Sequence, residues 1–120
     1  MCILGRMGLP HPLPDELVEL IARRFRVIGE PTRIRLLDRL RDGEATVNEL
    51  TEALGVSQQN VSKHLTVLAD AGVLARRREG THVHYSIADP SVFALCEQVC
   101  GSLEEQLRSL HELLGAVAGR

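Results

Sequence analysis

The sequence predicts a mainly α-helical fold with a small β-hairpin wing. Three observations predict it. Apolar residues recur at helical spacing through most of the chain, two glycine-bounded helices follow one another closely near the middle, and a short alternating stretch just after them reads as a hairpin. The stretch Thr46–Ile87, TVNELTEALGVSQQNVSKHLTVLADAGVLARRREGTHVHYSI, holds the last two of these. Its order of helix, tight turn, helix and basic hairpin is that of a winged helix-turn-helix, an arrangement that places one helix in the DNA major groove.

The elements follow in chain order. Residues 1–14 contain Pro10, Pro12 and Pro14 and read as a flexible N-terminal arm. Residues 15–118 form the DNA-binding and dimerisation domain. Asp15 caps a first helix whose apolar positions are Leu17, Val18, Ile21, Phe25 and Ile28, and Gly29 breaks it. Pro31 suits the first turn of a second helix, with Ile34, Leu37 and Leu40 as its buried stripe and Gly43 as its end. Thr46 and Glu49 make a T-x-x-E capping box for a third helix, which turns Val47, Leu50 and Leu54 inward. Gly55 supplies the tight turn. Ser57 caps the fourth helix, with Val61, Leu65 and Leu68 inside and Gly72 as its stop. Leu74–Glu79 and His82–Ile87 then flank Gly80-Thr81, a pair suited to a two-residue II′ hairpin. Asp89-Pro90 opens a last helix running to about residue 117. Cys96, Cys100, Leu103, Leu107, Leu110, Leu114 and Val117 alternate by four and three along it, an a/d seam that predicts a dimer through the terminal helices.

Composition bounds the function. A chain of 120 residues with 44% hydrophobic and 2% aromatic content builds one domain around an aliphatic core. No apolar run approaches the ~18 residues of a membrane span, and the first residues do not read as a signal peptide. The expected location is cytoplasmic, where the three cysteines Cys2, Cys96 and Cys100 stay reduced. The net charge of −2 argues against nucleic acid when taken globally, but its distribution reverses the inference. Arg76, Arg77 and Arg78 are consecutive, Lys63, His64 and His82 fall nearby, and Glu97, Glu104, Glu105 and Glu112 lie elsewhere.

The start of the fourth helix carries the chemistry of base reading. Glutamine bonds adenine bidentately, and lysine and serine reach guanine or phosphate. Gln58, Gln59 and Ser62 are the expected base contacts. Ser57, Lys63, His64 and Thr66 are the expected companions, the last three on the DNA backbone, and Arg77, Arg78 and His82 on the hairpin anchor neighbouring phosphates. The expected partner is a palindromic double-stranded operator, read by a homodimer whose two recognition helices lie about one helical turn of DNA apart. An enzyme is not expected. No base lies near Cys96, and there is no Gly-rich phosphate loop.

Three fragments together carry a family resemblance: GEPTRIRLLDRL in the second helix, LTEALGVSQQNVSKHLTVLADAGVL through the reading head, and RRREGTHVHYSI in the wing. In these the chain resembles the ArsR/SmtB family of bacterial metal- and stress-sensing repressors, over roughly residues 17–114. The resemblance implies a homodimer on an operator, released when a ligand, usually a metal ion, binds. Two of the family's sites are not matched. The family's arsenite site is a C-V-C-type box at the start of the third helix, where Thr46, Val47, Asn48, Glu49 and Leu50 include no cysteine, and its zinc site on the last helix would need a histidine where Ser91 follows Asp89, with only His111 downstream.

The remaining candidate is Cys96 with Cys100, joined by Cys2 from the arm. Residues four apart share a helix face with Cβ atoms roughly 5–6 Å apart, too wide for an unstrained disulfide but suited to converge on one soft ion. Arsenite is the favoured inducer, with cadmium or mercury as alternatives and no organic cofactor. Two rival readings keep the DNA head: a thiol-based persulfide or redox sensor, and an effector-independent DNA-binding protein in which the seam cysteines pack as small hydrophobes.

Overall fold

The computed structural model describes residues 8–118, with side chains to residue 115. The described residues fall into two compact units, divided between Ala88 and Asp89. In the first unit the order is α1 (Asp15–Ile28), α2 (Pro31–Leu40), β1 (Ala45–Thr46), α3 (Val47–Leu54), α4 (Gln58–Asp70), β2 (Leu74–Glu79) and β3 (His82–Ile87). The second unit holds one long helix, α5 (Ser91–Ala118). Residues 8–14 of the expected arm adopt neither helix nor strand, and Cys2 lies outside the described residues.

Local signals account for most boundaries. Glu30 caps α2 by accepting from the Arg33 amide, with Pro31 in the first turn. The Thr46–Glu49 capping box is complete: Thr46 Oγ1 accepts from the Glu49 amide at 3.2 Å and Glu49 Oε1 accepts from the Thr46 amide at 2.8 Å. Gly55, at φ +70°, closes α3, and Ser57 Oγ accepts from the Asn60 amide to open α4. The end of α4 is a Schellman motif. The Gly72 amide bonds the Ala69 carbonyl, the Val73 amide bonds the Leu68 carbonyl, and Gly72 takes the positive φ of 81° that this closure requires. Val73 and Leu68, the apolar pair that accompanies the motif, are both fully buried.

Two boundaries shift by one residue. Asp15 is the first helical residue of α1, not its cap, because Pro14 occupies the cap position. Asp89 lies one step further out than expected, accepting from the amide and hydroxyl of Ser91, with which α5 begins.

The hairpin spans Leu74–Glu79 and His82–Ile87, as the alternation predicts, and its turn closes between paired Glu79 and His82. Gly80 has φ +63° and Thr81 does not have a positive φ, which selects a II′ rather than a I′ turn. β1 pairs antiparallel with β3, giving a three-stranded sheet of order β1-β3-β2. Two residues are too few for any alternation to register, so β1 has no sequence signal.

The core of this first unit is aliphatic. Leu36, Leu37, Leu50, Val61, Leu65, Leu68 and Val73 are fully buried, and Tyr85 is nearly so. Of the expected α2 stripe, Leu37 and Leu40 are buried, whereas Ile34 is 44% exposed, and Thr32 and Leu36 complete the buried face in its place. On α1 only Ile28 is fully buried, and Val18 and Phe25 remain exposed. The five apolar positions of α1 span more of its circumference than its contacts cover, so two of them face outward.

Candidate nucleic-acid interface and thiol pair

α4 separates its two kinds of residue by helical periodicity. Val61, His64, Leu65 and Leu68 form the buried face. Gln58, Gln59, Ser62, Lys63 and Thr66 recur at spacings that share the opposite face, and together with Val67 they line one shallow surface depression. Ser57 is exposed beside them. Its Oγ is occupied as an acceptor by the Asn60 amide, which leaves its hydroxyl proton available to a phosphate.

A second cleft joins the reading helix to the wing. Asn48, Gln58, Thr81, His82 and Val83 line it, with Thr46 and Val47. Asn48 and Thr81 were not singled out from the sequence. Asn48 is a polar side chain exposed in the first turn of α3, and the capping box that fixes that turn is the signal that points to it.

His64 is a correction. The sequence reading set it on the exposed face as a backbone contact, but it is 6% exposed and turned inward. Its Nδ1 accepts from Arg33 Nε at 3.0 Å, and its Nε2 lies 3.8 Å from Glu30 Oε2. Lys63 and Leu65 are its chain neighbours, and the spacing from Val61 and Leu68 assigns position 64 to the inner face.

The arginine cluster divides across the sheet. Residues paired across antiparallel strands share a face, and successive residues alternate. Arg77 pairs with His84, whereas Arg78 pairs with Val83 on the opposite face, the valine that lines the cleft with Gln58. Arg77 is already engaged: Nη2 and Nε donate to the Glu44 carboxylate, and Nη1 donates to Glu79 at 3.4 Å. His84 lies between the same two carboxylates, 3.8 Å from Glu44 and 3.5 Å from Glu79. The hydrogen bond from Arg77 holds the Glu44 carboxyl below its ordinary range, against the opposing effect of burial. The Glu44–Arg77 tie is therefore present at neutral pH and is lost only as pH falls through that lowered titration. Arg76 meets Asp70 at 3.2 Å. Arg78 and His82 are exposed, and neither is held in an ion pair among the described residues.

In the second unit, Cys96 is half-buried and Cys100 exposed, one helical turn apart on α5. Leu103, Leu107, Leu110 and Leu114 continue that seam at 49–58% exposure. Among the described residues no three His, Cys, Asp or Glu side chains are grouped to hold a metal ion, and no helix is long and apolar enough to cross a membrane.

Comparison with known proteins places this geometry. Residues 28–77 match the model of a helix-turn-helix domain. The chain is 45% identical over 89 residues to a "probable mercury resistance operon repressor" of Streptomyces lividans, covering 74% of this chain and 68% of that one. The first curated relatives are longer, and the matched part spans 59–68% of their length. Among solved structures, the homodimeric winged helix-turn-helix DNA-binding domain Mb0332 from Mycobacterium bovis superposes with a TM-score of 0.69 at 30% identity, over 84% of this chain and 94% of that one. The AntR antimony-specific transcriptional repressor superposes with the same TM-score, 0.69, at 32% identity, over 90% and 97%. The buried face of α4, the polar face opposite it, the hairpin beside it and these relatives agree: the chain belongs to the ArsR/SmtB family of winged helix-turn-helix transcriptional repressors.

Proposed function

We propose that the protein is a homodimeric repressor released from a palindromic operator when a soft metal or metalloid ion binds the thiolates of Cys96 and Cys100. The observation that carries this reading is the placement of that thiol pair. It sits on α5, outside the DNA-reading head, with Cys96 half-buried and Cys100 exposed.

The donor set fits a soft ion. Two thiolates one helical turn apart converge on a thiophilic ion through bonds of about 2.3 Å. A third donor must come from Cys2, which lies outside the described residues, or from a second subunit. Arsenite remains the first expectation, because trivalent arsenic suits trigonal thiolate coordination. Mercury, cadmium and antimonite belong in the same panel, since the relatives include a probable mercury resistance repressor and an antimony-specific one. The exposed leucines of α5 provide the dimer seam, buried against the same helix of a second copy. An ion joining α5 to its partner helix or to the arm acts only through a difference in affinity for the DNA-competent and incompetent states, typically about 1–3 kcal/mol.

Titrating the reduced protein with arsenite and mercuric ion, followed by thiolate charge-transfer absorbance in the near ultraviolet, tests the site. The expected result is a stoichiometric rise in the wild type that Cys96→Ser or Cys100→Ser removes. Unchanged absorbance in both variants excludes these thiols, and a persulfide adduct at them by mass spectrometry, without ion binding, supports the redox alternative.

On the DNA side, Gln58, Gln59 and Ser62 read bases, while Ser57, Lys63, Thr66, Arg78 and His82 hold the backbone. Arg77 is subordinate, because a phosphate must first displace two carboxylates from it. Arg78→Ala should therefore weaken binding to every sequence and lower the salt slope of log K by about one. Arg77→Ala should change both less. Anisotropy titrations over a series of salt concentrations check the order, and equal effects of the two variants contradict it.

A further inference from the structure

We propose that Arg33 and His64 are positioning residues that set the rotation of α4 for sequence-specific reading, by tying it to the end of α1 and the start of α2. The proposal rests on the reading of α4 as the helix that meets DNA.

One guanidinium joins three segments. Arg33 Nε donates to His64 Nδ1 at 3.0 Å, in the middle of α4. Arg33 Nη1 donates to the Val27 carbonyl at 3.0 Å and reaches the Arg26 carbonyl at 3.5 Å, two acceptors in the last turn of α1 with no partner further along that helix. The Arg33 amide in turn binds the Glu30 carboxylate, whose other oxygen faces His64 Nε2. Because Nδ1 accepts, the ring proton sits on Nε2, on the side of Glu30. A second arginine, Arg24 on α1, makes a parallel link, with its Nη2 at 3.5 Å from the Ala71 carbonyl that follows α4.

These bonds do something that the apolar packing of α4 does not. Val61, Leu65 and Leu68 bury the helix through non-directional contacts, which tolerate small rotations about its axis. A hydrogen bond has a direction, and the one to His64 leaves α4 next to Lys63 and within two residues of Ser62 and Thr66. On a helix of about 5–6 Å radius a rotation of roughly 20° moves a side-chain tip by about 2 Å. That displacement breaks a bidentate base contact, because hydrogen bonds weaken steeply with distance and angle. A flexible lysine meeting a phosphate absorbs the same displacement. Loosening α4 should therefore lower operator affinity while leaving non-specific affinity in place.

The test compares full-length wild type with His64→Leu, His64→Asn and Arg33→Lys. Leucine keeps bulk and removes the acceptor. Asparagine keeps an acceptor near the position of Nδ1. Lysine keeps the charge and loses the fork. The probes are a fluorescein-labelled duplex of the DNA immediately upstream of the protein's own gene and a scrambled duplex of the same length, with thermal melts run in parallel. The expected result is a loss of about tenfold or more for His64→Leu on the upstream duplex, the size of one or two lost base contacts, with affinity for the scrambled duplex within about twofold of wild type. His64→Asn should retain most of the discrimination, and Arg33→Lys should lose it several-fold. Should His64→Leu fail to fold, Arg33→Lys carries the same expectation.

Parallel losses on both duplexes, or discrimination equal to wild type in His64→Leu and Arg33→Lys, overturn the proposal. A wild-type chain that selects no preferred sequence from a random-sequence duplex pool overturns the reading of α4 itself, and the positioning role with it. A preferred sequence selected in this way replaces the upstream duplex as the probe if that duplex is bound no better than the scrambled one.

Discussion

Replacing Gln58, Gln59 and Ser62 together by alanine should reduce binding at the operator to the level of non-specific DNA, a loss of about a thousandfold or more. The three side chains share the outward face of α4 and line a single depression. Gln58 and Gln59 are exposed and Ser62 is half-buried, so their removal takes little from the core and the thermal midpoint should move by no more than a few degrees. The salt dependence should also stay, because the phosphate contacts proposed for Lys63 and Arg78 are untouched by the substitution. Competition anisotropy against scrambled DNA checks both expectations. If operator affinity survives the triple substitution, recognition lies elsewhere on the chain.

The second large effect is on stability. Leu65→Ala should destabilise the protein by about 2–5 kcal/mol, since Leu65 is fully buried and truncation both removes apolar burial and leaves a cavity. Whole domains are stable by only about 5–15 kcal/mol, so the substitution removes a substantial part of the total and should raise the unfolded population by about thirtyfold or more. The same substitution should reduce affinity for operator and scrambled DNA together, in proportion to the folded fraction. That parallel loss is what distinguishes a core residue from the positioning pair Arg33 and His64. Chemical denaturation with the slope m held common measures the change.

The elements built from local hydrogen bonds were the most legible. The capping box at Thr46 and Glu49, the stop at Gly72 and the Gly80-Thr81 turn each place polar groups and special backbone within four residues, and each boundary was found where those residues stand. What escaped was set by tertiary pairing. β1 exists only because Ala45 and Thr46 lie against Tyr85 and His84, partners some forty residues away. The residue type of His64 suggests a surface contact, but its spacing from Val61 and Leu68 assigns it to the inner face. Its partner Arg33 is 31 residues distant and leaves no periodic trace.

The wing followed the same logic. Three consecutive arginines on a strand cannot share a face, so the stretch Arg76–Arg78 was never a single patch, and register alone separates Arg77 from Arg78. Glu44, the residue that occupies Arg77, precedes β1 and belongs to no motif. The thiol pair was legible as a helical i, i+4 spacing, and Cys96 and Cys100 do lie one turn apart on a single helix.

The most direct measurement is anisotropy of the labelled upstream duplex bound to the reduced full-length protein, titrated with arsenite, antimonite, mercuric and cadmium ions. The account predicts that at least one of these soft ions releases the DNA at about one ion per thiol pair, that zinc and magnesium do so poorly, and that Cys96→Ser and Cys100→Ser bind the duplex as wild type yet no longer respond. Release that persists in both cysteine variants, or an upstream duplex that no soft ion displaces, would contradict it.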